Sequence, residues 1–198
     1  MNSGGLGRPK VIYPLKRGVS KPLLEITPKP PQGGPVVVRD RPQPPYKQGR
    51  RSLVAGTDEV QQLEANVAPD PTLSFDGLSN AANDEVLGFR VFPPDVNGDV
   101  GPNHYIQWNN LTFAVWDKAG NLIAGPLPGN LPWTGFGGEC EAHNDGDPIV
   151  LYDQLADRWV FSQFAVFAPD GGHQCFAVSQ TSDPLGAYYL YDFIASPG

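Results

Sequence analysis

From residue 85 onward, apolar residues come in short runs of strand length: "EVLGFRVF", "HYIQWNNLTFAVWD", "NLIAGP", "PIVLYD", "RWVFSQFAVF", "QCFAVSQ" and "AYYLYDF". Between them lie "PPDVNGDVGPN", "KAGN", "PGNLPWTGFGG", "QLAD", "APDGGH" and "TSDPLG", rich in residues that accept positive φ or preset a turn. Short apolar runs bounded by such turns predict successive hairpins, and so an all-β domain over residues 70–198. A Trp-Asp or Tyr-Asp pair recurs at Trp116-Asp117, Tyr152-Asp153 and Tyr191-Asp192, at intervals of 36 and 39 residues. Those intervals approach the roughly 40 residues of a four-stranded propeller blade. A β-sandwich of the same strands is the alternative architecture.

The pattern differs before residue 70. Residues 1–50 hold ten prolines, densest in "TPKPPQGGP" and "RDRPQPPYKQGRR". Proline removes backbone donors and fixes φ, so residues 1–56 are expected to be an extended, disordered basic tail that adds little to stability. Residues 57–69, including "TDEVQQLEAN", predict a short helix or a linker.

Charge divides along the same line. Residues 1–51 carry eleven Lys or Arg against two acids, and residues 52–198 carry three against nineteen. A body so poor in cations cannot release counterions from phosphates, which argues against nucleic acid as a partner and suits cations or neutral, hydroxyl-rich ligands. No run of about 18 apolar residues is present, so no membrane span is expected. The first residues, "MNSGGLGRPKVIYPLKRG", lack the apolar core of a signal peptide.

Acidic residues supply most of the candidate chemistry. In "DVNGDVG", Asp95, Asn97 and Asp99 place an oxygen at every second position, as a calcium loop does. Ile106 stands where an EF-hand has its bidentate acid, so a side-chain-stabilised turn is the alternative to a Ca2+ site. A second cluster, Glu139, Glu141, Asp145 and Asp147, precedes "PIVLYD" and is a candidate binding surface; solvated acids are its plainer explanation. His104, His143 and His173 form no ligand-spaced pair, no G-x-S-x-G is present, and "GFGGEC" lacks the Lys of a phosphate loop. If residues 147–153, 158–167, 173–180 and 187–193 form one meander, the first and third strands start at one end, about 10 Å apart. Cys140, ahead of the first, then reaches Cys175 in the third, predicting a disulfide and an oxidising compartment, with free buried thiols as the alternative.

"DPIVLYDQLADRWVFSQF" followed by "FAVSQTSDPLGAYYLYDF" resembles one blade of the sialidase-like and five-bladed glycosidase propellers. "PPDVNGDVGPNHYIQ" with "NDGDPIVLYDQLADRWVFSQFA" is similar to the N-terminal part of a group of bacterial extracellular propeller proteins. The resemblance covers about residues 70–198. It implies a partial propeller of four-stranded blades, with further blades downstream, an extracellular or cell-surface location, and Asp147 at the mouth of the central cavity. In the five-bladed glycosidases an aspartate of this Asp-Pro type is the general base, and by that resemblance Asp147 is the candidate catalytic residue. Two functions are therefore expected to compete: a glycan- or cell-surface-binding module, stabilised by calcium, and a glycoside hydrolase using Asp147. A structural adhesion domain is the third.

Overall fold

The structure, a computed structural model, describes residues 11–28 and 70–197. Two antiparallel sheets form around one core. The first is the meander β2 (Val96–Val100), β3 (His104–Asn109), β4 (Thr112–Asp117) and β5 (Leu122–Pro128), in that order across the sheet. The second has five strands in the order β1-β9-β8-β7-β6, from β1 (Lys16–Val19), β6 (Ile149–Asp153), β7 (Arg158–Ala165), β8 (Gly171–Ser179) and β9 (Tyr188–Pro197). Both sheets are open, so the described residues establish an all-β fold without closure into a propeller.

The second meander follows its hydrophobic pattern closely. Along β7 and β8 alternate residues are buried, among them Trp159, Phe161, Cys175 and Ala177. They face Ile106, Trp108, Phe113 and Val115 of the first sheet. At the centre, Phe161 makes edge contacts with Trp108 and Phe113, at centroid distances of 5.5 and 5.6 Å, and lies 5.1 Å from Tyr188. These aromatic contacts join the sheets more tightly than area burial alone.

Three expectations need correction. Residues 85–92 do not form a strand: α1 (Ala81–Leu87) ends at Gly88, whose left-handed φ of 80° caps it. Residues 96–100, expected as a loop, are β2: they pair with Tyr105–Asn109 of β3, while Asn97 and Asp99 accept backbone N–H groups from β6. Residues 15–26, expected in the tail, join the second sheet. Lys16–Val19 pair with Tyr189–Asp192, and Leu23 packs into the core at 2% exposure. The helix or linker expected at 57–69 and most of the proline-rich tail lie outside the described residues.

Residues 73–92 cover the other face of the first sheet through amides rather than a broad apolar surface. Asn80 exchanges two hydrogen bonds with the backbone of Val91, and Asn83 reaches Asn109 and Thr112. Phe75 packs on Tyr105 and Trp116, both at 5.9 Å.

The disulfide Cys140–Cys175 is formed, with its Cα atoms 5.7 Å apart. It ties the short α2 (Glu139–Ala142) over the inner face of β8. Among the described residues no helix is long and apolar enough to cross a membrane.

Candidate functional site

Four chain segments meet where β2 and β6 begin: residues 89–95, the β3–β4 turn at Asn110-Leu111, residues 144–147 ahead of β6, and Phe167 beyond β7. They enclose a cleft of about 180 Å³. Its polar side chains are Asp95, Asn110, Asn144, Asp145, Asp147 and Arg90, and Phe89, Phe92 and Phe167 supply aromatic surface.

Local sequence explains how these groups converge. Asp95, Asn110 and Asp147 have φ values of 38°, 49° and 47°, three of the four positive-φ non-glycine residues among those described. Asp and Asn tolerate that region best, because their short polar side chains bond nearby backbone. Gly146, at φ 87°, lets Asn110 approach: a Cβ there would stand 2.0 Å from the Asn110 side-chain oxygen. Asn110 Nδ2 donates to Pro93 O at 2.7 Å and to Asp95 Oδ2 at 3.1 Å. The carboxyl groups of Asp95 and Asp147 stand close enough to share a hydrogen bond when one of them holds a proton, and repel when both are ionised. Partial burial, then the charge of Asp147 and that hydrogen bond, hold the Asp95 carboxyl above its ordinary value of 3.8.

The expected acidic cluster divides. Asp147 is exposed in the cleft, whereas Asp145 Oδ2 accepts the Val166 and Phe167 N–H groups at 2.7 and 3.1 Å and fixes the exit from β7. Glu139 is paired with His143 at 3.1 Å, and Glu141 accepts the Gly137 N–H at 2.6 Å; neither lines the cleft. Behind the cleft, Asn144 Oδ1, both amide atoms of Gln163 and Trp108 Nε1 are buried without a protein partner. That set of acceptors and donors suits an internal water.

The residues expected to ring a calcium ion also separate. Asn97 Oδ1 accepts the Val150 N–H at 2.6 Å, and Asp99 Oδ2 accepts the Tyr152 N–H at 2.8 Å. Asp99 Oδ1 takes the Val100 N–H at 2.7 Å. Two side chains two residues apart on β2 thus serve two outward N–H groups two residues apart on β6. Only Asp95 of the three turns to the cleft. Among the described residues no group of three His, Cys, Asp or Glu side chains gathers as a metal site.

A second polar centre was not legible in the sequence. His173, 1% exposed, lies between Asp192 Oδ1 at 2.6 Å from Nδ1 and Asp170 Oδ1 at 3.1 Å from Nε2. Burial lowers the pKa of the ring, but hydrogen bonds to and charges of both aspartates outweigh it and leave it above 6.5. The signal that could have located it is strand pairing: β8 and β9 run antiparallel, and Cys175, two residues from His173, faces Asp192.

The chain matches no protein-family model, no curated protein and no solved structure.

Proposed function

We propose that the cleft at the start of β2 and β6 binds a neutral, hydroxyl-rich ligand, a glycan of the extracellular or cell-surface milieu. The observation that carries this reading is the concentration of left-handed aspartate and asparagine residues around one cleft. Such backbone costs stability and persists where the surroundings enforce it, often at ligand sites. Carboxylates and amides accept and donate to sugar hydroxyls, while Phe92 and Phe167, 63% and 66% exposed, offer faces for the apolar side of a sugar ring. A volume of about 180 Å³ suits one sugar unit of a chain whose remainder lies in solvent.

Binding is favoured over hydrolysis by the same geometry. Glycosidases hold their two carboxyl groups roughly 5–9.5 Å apart across the scissile bond, whereas Asp95 and Asp147 are in hydrogen-bond contact. In this reading the two meanders are consecutive blades of a propeller, with β2 and β6 as their neighbouring inner strands, and the disulfide belongs to an oxidising compartment.

The test is capture of the protein on a glycan array, beside turnover of a chromogenic glycoside panel. Asp147→Asn keeps the shape and the tolerance for left-handed backbone. It is expected to abolish capture while raising the melting temperature, because it relieves repulsion with Asp95. Turnover lost in this variant would establish the hydrolase instead. Absence of both capture and turnover across the panels would reject the glycan reading.

A further inference from the structure

Residues 166–170 carry Phe167, which lines the cleft, and are held at both ends by acid side chains. At the first end, Asp145 Oδ2 accepts the N–H groups of Val166 and Phe167. At the other, Asp170 Oδ1 lies 3.1 Å from His173 Nε2. The turn closes between them with Gly171 N–H donating to Ala168 O at 3.4 Å. The two anchors differ in kind. Asp145 accepts main-chain donors that never titrate. Asp170 is held by a ring nitrogen that does.

The placement of His173 determines which proton is labile. Both ring nitrogens face carboxylate oxygens, so both act as donors only in the imidazolium form. Asp192 is buried and lies 2.6 Å from Nδ1, whereas Asp170 is 57% exposed and can be hydrated. On deprotonation the ring keeps the proton at Nδ1, because the buried Asp192 has no solvent to replace it. Nε2 then presents a lone pair to Asp170, and attraction becomes repulsion.

The other charges around β8 do not supply a substitute. On β1, Lys16 stands opposite Asp192, with its Nζ 4.8 Å from the centre of the Phe136 ring. On α2, Glu139 is paired with His143 and Glu141 with the Gly137 N–H, while β7 carries only Arg158, at its far end. His143 Nδ1 lies 3.7 Å from Asp145 Oδ2, so a second histidine touches the first anchor and has to be separated by experiment.

We propose that residues 166–170 are a proton-controlled segment that positions one cleft residue: protonated His173 clamps Asp170 and holds Phe167 at the rim, and loss of the Nε2 proton releases the turn. The role assigned to the rim rests on the glycan-binding reading; the clamp itself does not. A ligand that needs Phe167 in place is retained while His173 is charged and released as the pH rises.

The experiment is NMR of the labelled full chain from pH 5 to 9. It follows the His173 ring resonances together with amide protection factors of Phe167 and Gly171, corrected for intrinsic exchange. The expected result is a fall in both protection factors of about tenfold or more with the midpoint of His173, while Ala177 in β8 stays protected. Asp170→Ala, at an exposed position, is expected to leave the turn unprotected across the range with the sheet intact. His143→Gln is expected to keep the step. Protection that is flat through the His173 midpoint, a step that survives in Asp170→Ala, or one that vanishes in His143→Gln would overturn the proposal. A step in a protein that captures no glycan would uphold the clamp and remove only its ligand.

Discussion

Asn97 and Asp99 illustrate how one residue pattern carries two meanings. Oxygen side chains at alternate positions are equally the mark of a calcium loop and of one face of a strand. The partners that decide between them, Val150 N–H and Tyr152 N–H, are 53 residues away, and nothing local announces them. β6 is the edge of its sheet, so these two side chains occupy donors that a further strand would otherwise claim. Asp99→Ala is expected to cost about 1–2 kcal/mol and Asn97→Ala about 1 kcal/mol. Denaturant titration of both single variants and the double one checks this, and a double variant as stable as the parent would show that water serves these donors equally well. Asp147 was legible as the residue just ahead of β6, because Asp-Pro before an apolar run marks a strand start; its place at a cavity mouth was implied only by the propeller resemblance. Its neighbour Asp95 was assigned to a different centre, since their contact depends on how the two sheets meet.

Among the elements, the strands of the second meander were the most legible. Expected runs at 148–153, 158–167, 174–180 and 187–193 became β6 to β9 with shifts of a few residues at their ends. Their signal is apolar alternation punctuated by turns, which is local. β1 gave no such signal: it is a short edge strand whose side chains are mostly exposed, surrounded by proline and basic residues. What holds it is main-chain pairing that continues past the strand. Leu15 N–H donates to Asp192 O at 2.7 Å, Ser20 exchanges bonds with Tyr188, and Leu23 N–H donates to Leu185 O at 2.9 Å. Leu23 and Ile26 then fill the core at 2% and 8% exposure. Leu23→Ala is expected to cost about 2–4 kcal/mol, the usual range for a leucine emptied from a packed site. Removing residues 1–28 should cost more, because it also exposes the edge of β9. A thermal melt unchanged by either alteration would mean that the segment contributes nothing to the fold.

The whole molecule is held by one cross-link and tuned by two proton sites. Cys140 and Cys175 were paired from strand order alone, because a meander brings the starts of its first and third strands to one end. Their separation of 35 residues predicts about 4 kcal/mol of stabilisation through the unfolded chain. The double variant Cys140→Ala/Cys175→Ala should lose about that much in denaturant titration. The architecture beyond two open sheets was not legible, since a blade and a sandwich sheet share the same strand pattern. The net charge of −7 conceals the sites that set pH dependence. His173 and Asp95 both have native pKa values above their ordinary ones, so the folded state binds protons more tightly than the unfolded chain at each site. For His173 the stabilising contribution is complete below about 6.5, its unfolded value, and is lost as pH rises through the higher native one. For Asp95 the same sign applies in the acid range, from 3.8 upward. Asp117 works in the opposite direction: its pKa is lowered by the Asn121 hydrogen bonds, so its contribution is present above 3.8, is lost as pH falls through its lower native value, and is constant between pH 5.5 and 8.5. The melting temperature should therefore be higher at pH 5.5 than at pH 8.5. The part of that difference due to the clamp should shrink in Asp170→Ala, which removes one of the two carboxylates that keep His173 charged. A melting temperature that rises from pH 5.5 to 8.5 would contradict the charge state assigned to His173.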